Sequence, residues 1–497
     1  MGKQTAIHSE YIKAALFCTV ISTVLLAVCS KSSPLYPFND WVDSNIFFTV
    51  GKGMMEGKVL YRDIYDQKGP LLFFVHGLAY LFSHRSFLGV YLIEVICFSL
   101  FLLGVYRLMR LYTDEMVWWA IPVIGAVVVV SDSFCHGDSA EELCLPIFIW
   151  SFYALLRYFR LVYPEPASRK MLLLHGVLAG CLLWVKFTFL GFHFAWMVSI
   201  LIGDIRQKRG KGFFLDGLTF LGGMALATLP WLIYFGLNHA VGDWLGNYIW
   251  NNIFSYSTAE RAGLLAQVKS ALKNLLDLFI ANPGYSVLII GGVIWFIAGK
   301  SRNGMEKLAL SLLCVFTAAG ICFGVIQWRP YYGLILCVFA VTGLLGIQKL
   351  LEEILGAEEP ILVSGGLVCT VLCVMFALRL GNYTDQIGRA KEELVQYRFA
   401  EIIEETENPT LLNYGFQDSG FYTVCGIVPS CRYFCSYNLE LPGLWEEQQY
   451  YLENGLLDYV VTRGFELEDS YVYYEEVERA DQVYEGIEYT YYLYKRK

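Results

Sequence analysis

The stretch YRDIYDQKGPLLFFVHGLAYLF, residues 61–82, decides the membrane topology of this chain. Its apolar part, residues 69–82, is about 14 residues long, whereas a helix needs about 20 residues to cross the hydrocarbon core. We therefore predict an interfacial or re-entrant helix here. Asp63, Asp66 and Lys68 lie directly before the apolar run. These charged groups are therefore expected at the boundary between water and lipid.

The whole chain has the composition of a membrane protein. Its 497 residues are 56% hydrophobic and 17% charged, and the mean hydropathy is +0.46. Soluble domains contain about 25% charged residues. Apolar runs of roughly 16–22 residues recur up to about residue 380, and each is long enough to cross the hydrocarbon core of a membrane as a helix. The sequence shows no basic face of the kind that nucleic-acid binding needs.

The basic loops determine the predicted orientation, because Lys and Arg collect on the cytoplasmic side. These loops are 107–115, 157–170, 204–212 and 300–307. If all of them are cytoplasmic, the predicted spans are 12–29, 88–106, 116–131, 142–160, 171–185, 188–203, 213–236, 284–299, 305–325, 331–348 and 360–380. This pattern predicts a protein of the plasma (inner) membrane with eleven spans. The N-terminus is then cytoplasmic, and residues 30–87 and 237–283 form long outer loops.

The C-terminal segment differs from the rest in charge. From residue 385 onward, nine Lys or Arg stand against 22 Asp or Glu, a net charge of −13, whereas residues 1–384 have a net charge of +4. A helical pattern at about 388–405 is followed by runs rich in β-branched and aromatic residues, as in strands. These runs are DYVVTR, SYVYYEEV and YTYYLYK. We predict an all-α polytopic membrane domain over 1–384 and a small extracytoplasmic α/β domain over 385–497.

Three of the 14 cysteines lie in the C-terminal segment, at Cys425, Cys431 and Cys435. An odd number at these spacings fits neither a disulfide framework nor a zinc site well. Either two of these cysteines form one disulfide, or all three are buried free thiols.

The first outer loop contains DSNIFFTVGKGMMEG, residues 43–57. Its apolar residues fall on one helical face, and Gly57 is the expected residue after the helix end. We predict a short amphipathic helix lying on the membrane. Asp43 is either the N-cap of this helix or a general base at the water–lipid boundary. Composition does not choose between Asp43 and the nearby Asp40.

Lys68 also has two interpretations. It could anchor an interfacial helix by snorkelling, or it could bind a phosphate group at the membrane surface. Asp63 and Asp66 are expected either to begin a helix or to pair with Arg62 and Lys68.

A second acidic loop, HGDSAEELCLPIFIW, places Asp138, Glu141 and Glu142 at the entrance of a predicted span. Acidic residues at a helix start are favoured by the helix dipole, which is the purely structural explanation. Carboxylates here would also suit a hydroxyl nucleophile or a divalent metal.

Lys186 and Arg329 lie at the outer ends of other predicted spans. Each is either an interface anchor or a phosphate ligand. The chain contains no P-loop, dinucleotide fingerprint, HExxH or G-x-S-x-G motif. No cofactor is therefore certain, and no metal ligands are assigned.

The two acidic loops together resemble a known family. The segment DSNIFFTVGKGMMEGKVLYRDIYDQKGPLLFF is similar to the first outer loop of bacterial lipid-linked-sugar glycosyltransferases of the GT-C superfamily. These enzymes are relatives of the protein O-mannosyltransferases and of the lipid A aminoarabinose transferases. HGDSAEELCLP is similar to their second acidic loop. The resemblance in layout extends over about residues 10–350.

The resemblance implies a sugar donor on a polyprenyl phosphate and a glycan, lipid or protein acceptor that enters from outside. It implies that Asp43 is the general base, that Lys68 lies near the donor phosphate, and that Glu141 or Glu142 is at the active site. Many relatives have a histidine motif in a late outer loop. This chain has RPYYG there, which puts a direct role of Tyr331 or Tyr332 in doubt.

The leading hypothesis is therefore an inverting glycosyltransferase that transfers one sugar at the outer face of the membrane. The alternatives are a flippase or carrier of lipid-linked glycans and a polymerase of such glycans. A carrier predicts a charged path through the spans, and the predicted spans have few charges near their centres.

Overall fold

A computed structural model describes residues 2–113, 117–255, 263–323, 328–355, 359–438, 441 and 443–497. The chain divides into two compact units. The first comprises Met1–Ser30, Tyr91–Pro230 and Ala259–Asp385, and the second comprises Lys31–Val90, Trp231–Thr258 and Gln386–Lys497. The first outer loop thus belongs to the same unit as the C-terminal segment. The predicted division into two domains at residue 385 stays a prediction.

Helices dominate the chain, as the apolar runs predict. In chain order they are α1 (Gly2–Cys29), α2 (Val42–Met55), α3 (Pro70–Phe82), α4 (Leu88–Met109), α5 (Ala120–Val129), α6 (Ala140–Leu161), α7 (Arg169–Leu183), α8 (Leu190–Arg206), α9 (Gly210–Leu237), α10 (Val241–Trp244), α11 (Leu264–Ala281), α12 (Pro283–Ala298), α13 (Gly304–Cys322), α14 (Val341–Leu355), α15 (Glu359–Leu380), α16 (Val395–Ile403), α17 (Phe421–Cys425) and α18 (Leu444–Glu453). A π-helix covers Leu245–Ser255, and a 3-10 helix, Pro330–Ala340, precedes α14.

Within the described residues, seven helical segments are long and apolar enough to cross a membrane. They are Ser9–Cys29, Leu88–Met109, Ala140–Leu161, Phe187–Arg206, Gly210–Leu237, Gly304–Cys322 and Pro330–Ile354. α11 and α12 pass the same test as a pair, bent by 114°. Every predicted span overlaps a helix, so the helical multi-span class is confirmed, while the number eleven stays a prediction. α11 lies where a long outer loop was predicted.

Helices of the first unit pack closely at small residues, as in many membrane bundles. A Cβ atom built on Gly191 of α8 would lie 2.3 Å from the carbonyl oxygen of Phe316 in α13. The fully buried Trp196 donates its indole N–H to the Ser151 carbonyl at 2.9 Å. The polar atom of this large side chain is thereby satisfied inside an apolar core.

The C-terminal segment of the second unit forms a four-stranded sheet in the order β1-β2-β4-β3. The strands are β1 (Leu411–Asn413), β2 (Tyr459–Arg463), β3 (Tyr474–Tyr484) and β4 (Ile487–Arg496). β1 pairs with β2 in parallel, and the other pairs are antiparallel. The β3–β4 hairpin turns at Glu485 and Gly486, which both have positive φ, as a type I′ turn requires. The predicted small domain of mixed helix and strand is confirmed.

The three cysteines of this segment are buried and reduced. Cys425, Cys431 and Cys435 are all free thiols. Of the two alternatives, the structure shows free thiols rather than a disulfide. They pack as small apolar side chains.

α2 and α3 pack against each other in the second unit. A Cβ atom on Gly51 of α2 would lie 2.5 Å from the backbone nitrogen of Gly77 in α3, so the close approach requires glycine. Gly57 follows the end of α2 with φ +89°, as predicted. Residues 42–53 are all buried. The prediction of an amphipathic helix lying on the membrane is therefore wrong for α2, because the C-terminal segment covers its polar side chains.

α3 keeps an apolar face exposed. Phe74, Leu78 and Leu81 are 39%, 46% and 56% exposed and recur at helical spacing. A water-soluble surface would not favour this stripe, whereas contact with lipid would. The short helix thus has the surface expected of the interfacial helix that its length predicts.

Candidate functional site

The second unit brings Asp43, Asp66 and Lys68 together. The Asp66 carboxylate accepts a hydrogen bond from the Lys68 backbone N–H at 3.1 Å. Burial raises the pKa of Asp66; the positive charge of Lys68 lowers that pKa, and the nearby charge of Asp43 raises it. The Lys68 ammonium lies 5.9 Å from the centre of the Phe47 ring on α2. The first loop therefore forms a compact group of two acids and one cation beside an aromatic ring.

Asp43 is not the N-cap of α2. The cap is Trp41, and Asp43 is the second residue of the helix, in its first turn. Its side chain is buried, with 8% of the residue exposed. The cap alternative is wrong because the helix begins two residues earlier than that alternative requires. The carboxylate still lies at the positive end of the helix dipole.

Other first-loop charges have different partners. Asp40 forms an ion pair with the buried Lys31 at 2.5 Å. Asp63 pairs with Arg62 at 2.8 Å, as one alternative predicted, and both of these side chains are substantially exposed. Asp40 and Asp63 therefore each form an ion pair within the first loop.

The turn that presents Lys68 is held by side chains distant in sequence. Tyr61 donates its hydroxyl hydrogen to the Lys68 carbonyl at 2.6 Å, and Asn252 donates to the Gln67 carbonyl at 2.8 Å. Tyr61 itself has φ +67°, an uncommon backbone conformation for a bulky residue. Its ring stacks on Phe235 with centroids 5.7 Å apart. The backbone at Lys68 is thereby fixed from two sides.

The opposite side of α2 is joined to the C-terminal segment by a buried polar network. Thr49 donates to the Asp418 carboxylate at 2.7 Å, and the Lys52 ammonium donates to the Tyr422 carbonyl at 2.7 Å. Burial lowers the pKa of Lys52 to about 8, although Asp418 attracts its positive charge and raises it. A fixed charge network therefore supports the helix that bears Asp43.

Lys52 predicts a pH dependence of stability. Its pKa of about 8 in the folded chain lies below the 10.5 of an exposed lysine. Between these two pH values the unfolded chain binds more protons, so folding stability rises with pH through this window and is lost as pH falls towards 8. We expect the unfolding free energy of the wild type, relative to Lys52→Met, to increase by up to about 3 kcal/mol from pH 8 to pH 10.5. Unfolding by SDS in detergent micelles, measured across this range, checks the result.

The exposed Lys391 is the matched control for this experiment. Lys391→Met measures the effect of losing a surface lysine under the same conditions. A constant difference for Lys52→Met would show that the buried lysine titrates at its ordinary pKa.

The first unit contains a second charged group, built around Lys186. The Lys186 ammonium forms an ion pair with Glu141 at 2.5 Å and lies 3.8 Å from the centre of the Tyr332 ring. Glu141 is 1% exposed, and its other carboxylate oxygen accepts no hydrogen bond from any described residue. A carboxylate oxygen that is buried and unsatisfied costs free energy unless a ligand donor meets it.

Asp138 and Glu142, the acids next to Glu141, are linked to each other and to Glu94. The Asp138 backbone N–H donates to Glu142 and to Glu94, both at 2.9 Å. Glu94 also accepts from the Ser30 hydroxyl at 2.9 Å. Both glutamates are buried. Glu142 and Asp138 therefore shape the loop at the start of α6, whereas Glu141 contacts Lys186.

Sequence reasoning missed Glu94. It lies in LIEVICF within α4, and one glutamate in an apolar run did not alter the prediction of a span. The position of Glu94 inside an apolar run could have identified it, because ionisable residues inside membrane helices usually have a partner and a role.

The second acidic loop and the residues just before it contact two later segments of the first unit. The Ser133 hydroxyl donates to the Pro330 carbonyl at 2.9 Å. His136 stacks on Tyr383 with ring centroids 4.2 Å apart. The side chain of Arg329 is exposed, and no ion pair is found for it among the described residues. Tyr332, whose role was in doubt, contacts Lys186.

Asp43, Asp66 and Lys68 thus form one group in the second unit, and Glu141 and Lys186 form another in the first. None of the contacts described for these residues involves Arg329. The described residues include no cluster of three or more His, Cys, Asp or Glu side chains that could bind a metal ion. Chemically, the first group offers a buried carboxylate and a cation next to apolar surface. The second offers a cation, a carboxylate and two tyrosine rings, a combination that suits a phosphate or a sugar.

Comparison with known proteins supports the fold. Residues 3–352 match the family model of the Competence-induced Ccs4 N-terminal domain. No curated protein matches the chain. A crystal structure of ArnT from Cupriavidus metallidurans bound to undecaprenyl phosphate is similar, with a TM-score of 0.60 and 11% identity over 98% of both chains. The apo structure of the same protein gives a TM-score of 0.58 and 12% identity, covering 99% of this chain and 98% of that one. At such identities the similarity establishes the fold, and the predicted resemblance is confirmed at the level of the fold.

Proposed function

The chain belongs to the Competence-induced Ccs4 N-terminal domain family, and we propose that it is a membrane glycosyltransferase. In this proposal it transfers one sugar from a polyprenyl-phosphate donor to a hydroxyl of a glycan, lipid or protein acceptor. The reaction takes place at the outer face of the plasma membrane, with the N-terminus in the cytoplasm and the C-terminal segment outside.

One observation supports the proposal most strongly. The fold matches ArnT over the full length of both chains, and the ArnT structure is described as bound to undecaprenyl phosphate. A fold alone does not establish an activity. The additional support is the group formed by Asp43, Asp66 and Lys68, because it provides an acid and a cation beside apolar surface.

Asp43 is the proposed general base. Its carboxylate takes the proton from the acceptor hydroxyl, whose oxygen attacks the anomeric carbon. The new glycosidic bond forms as the bond from the anomeric carbon to the phosphate oxygen breaks. Polyprenyl phosphate leaves with the electron pair of that bond, and the configuration of the sugar inverts. The buried position of Asp43 beside Asp66 supports this role.

Lys68 is the proposed ligand of the donor phosphate. A cation held in place before the reaction stabilises the charge that develops on the leaving phosphate. The hydrogen bonds from Tyr61 and Asn252 to the turn support this role, since they fix the Lys68 backbone. Asp66 is the proposed partner that orients this turn through its bond to the Lys68 N–H.

In the first unit, Glu141 is proposed to contact substrate, and Glu142 to position the loop. The unsatisfied oxygen of Glu141 supports this choice, because a sugar hydroxyl could donate to it. Lys186 and Arg329 are proposed to bind anionic groups of the substrates. Asp138 is proposed to act through its backbone contact with Glu142.

The test of this function uses the full chain in proteoliposomes. A panel of polyprenyl-phosphate sugars is supplied with an extract that contains acceptors, and released polyprenyl phosphate is measured. Release with one donor, together with sugar appearing on an acceptor, is the expected result. Movement of intact donor across the bilayer without release would instead indicate a carrier. Release only from donors with several sugars would indicate a polymerase.

A further inference from the structure

A basic cavity lies between two loops of the first unit. It has a volume of about 710 Å³ and is formed by the segment before α7 and the connection between α8 and α9. Its charged lining residues are Arg169, Lys208, Arg209, Lys211 and Asp216. Four cations and one acid line this cavity, so positive charge predominates in its lining. Neither of the charged groups described above includes any of these residues.

One cation of the cavity has an unused donor. Arg209 donates to the buried Asp204 carboxylate at 2.5 Å through one terminal nitrogen. Its Nε atom is buried and has no hydrogen-bond partner among the described residues. The ion pair fixes the guanidinium of Arg209, which lines the cavity and has further N–H groups.

Two helices begin at the cavity. Arg169 is the first residue of α7, and Gly210, Lys211 and Gly212 are the first residues of α9. The backbone N–H groups of a first helical turn have no partner within the helix and attract anions. A Cβ atom built on Gly210 would meet nothing within 4 Å, so the approach to these N–H groups is open.

The cavity also borders the surface that faces lipid. Leu215 lines it and is 46% exposed. Phe214, Leu218 and Leu221 continue along α9 as exposed apolar side chains, at 70%, 65% and 58%. A soluble anion gains nothing from contact with apolar side chains. The acyl chains below an anionic headgroup, in contrast, would pack against them.

From these observations we infer that the cavity binds the headgroup of an anionic phospholipid of the phosphatidylglycerol type. The phosphate lies among the side chains of Arg169, Lys208 and Lys211 and accepts from Arg209, and the acyl chains lie along α9. Both lining loops are among the basic loops assigned to the cytoplasmic side. Basic pockets between membrane helices on that side are suited to anionic lipids. This site does not depend on the proposed glycosyltransferase reaction.

The experiment uses the purified full chain in neutral detergent. Dioctanoyl phosphatidylglycerol, dioctanoyl phosphatidylcholine and inorganic phosphate are titrated separately, and the shift of the thermal unfolding midpoint gives each apparent Kd. The test variant is Arg169→Gln/Lys208→Gln/Lys211→Gln. It keeps Arg209, which pairs with Asp204. We expect the wild type to bind phosphatidylglycerol in preference to phosphatidylcholine, and the variant to bind it about 100-fold more weakly.

The matched control is Arg157→Gln/Lys300→Gln/Lys307→Gln. It removes one arginine and two lysines from loops on the same predicted side, outside the cavity lining. An equal loss of affinity in this control would show a general effect of charge and contradict the proposed lipid site. Equal binding of the two lipids by the wild type would also overturn it. Inorganic phosphate that binds and competes with phosphatidylglycerol at similar concentration would make the ligand a soluble phosphate instead of a lipid.

The single variant Lys211→Gln provides a test that holds even if the triple variant folds poorly. Lys211 is exposed, so its replacement should leave the lipid-free unfolding midpoint unchanged. We expect about fivefold weaker phosphatidylglycerol binding from the loss of one cation. Unchanged affinity in this variant would contradict the placement of the phosphate.

Discussion

Asp43→Asn should lower the rate of polyprenyl phosphate release by about 100- to 10,000-fold, the range expected for loss of a general base. The amide cannot accept the acceptor proton, while its size and position in the first turn of α2 stay the same. Because Trp41 rather than Asp43 caps the helix, the substitution removes no helix cap. The unfolding midpoint of the variant, measured beside that of the wild type, separates a loss of catalysis from a loss of folding. Initial rates with the donor found in the panel, measured at saturating acceptor, check the prediction.

Two other first-loop acids are the controls. Asp63→Asn replaces an acid that is paired with Arg62 at the surface, and it should retain most of the activity. Asp40→Asn tests the rival base in the same loop. If Asp40→Asn abolishes release while Asp43→Asn does not, the base is Asp40. Equal rates for wild type and Asp43→Asn would restrict Asp43 to a structural role.

Lys186→Met should destabilise the folded protein by about 3 kcal/mol or more, because it leaves Glu141 buried without its cation. Glu141 is 1% exposed, and removal of one member of a buried ion pair costs more than the pair contributes when intact. The second variant, Lys186→Met/Glu141→Gln, removes the orphaned charge and should regain most of the stability. Unfolding by SDS in detergent micelles measures both effects.

An exposed ion pair is the control for these two variants. Arg389 and Glu393 form an ion pair with side chains 35% and 60% exposed. Arg389→Met should cost at most about 1 kcal/mol, since water screens exposed pairs. Activity separates stability from substrate contact: if Glu141 or Lys186 contacts substrate, the double variant regains stability but not transfer. Full transfer by the stable double variant would contradict both proposed contacts.

The arrangement of helices and strands could be predicted because it depends on local patterns. Apolar runs long enough to cross a membrane form helices wherever they occur, since every backbone polar group must be satisfied inside lipid. Alternating aromatic and β-branched residues at 458–463 and 489–495 form β2 and β4 for a similarly local reason. The length of residues 69–82 likewise predicted a short helix rather than a span.

The environment of α2 could not be predicted, because it depends on residues more than 350 positions away. The helical face that bears Thr49 and Lys52 looks solvent-exposed in the sequence. Asp418 and Tyr422 cover it in the folded chain. Polar residues on a helix face meet water or a polar partner equally well, so periodicity alone does not distinguish these cases.

The sequence by itself determined which residues have charge at the two acidic loops, and which segments have the length and apolarity of membrane helices. Only the tertiary structure decided which of two adjacent acids meets Lys186. Successive residues of a helix point about 100° apart, so Glu141 and Glu142 necessarily face different neighbours. Glu141 meets Lys186 from the segment before α8, whereas Glu142 meets the Asp138 backbone N–H, which also donates to Glu94 of α4. These partners come from other helices, and their approach is a property of packing rather than of local sequence.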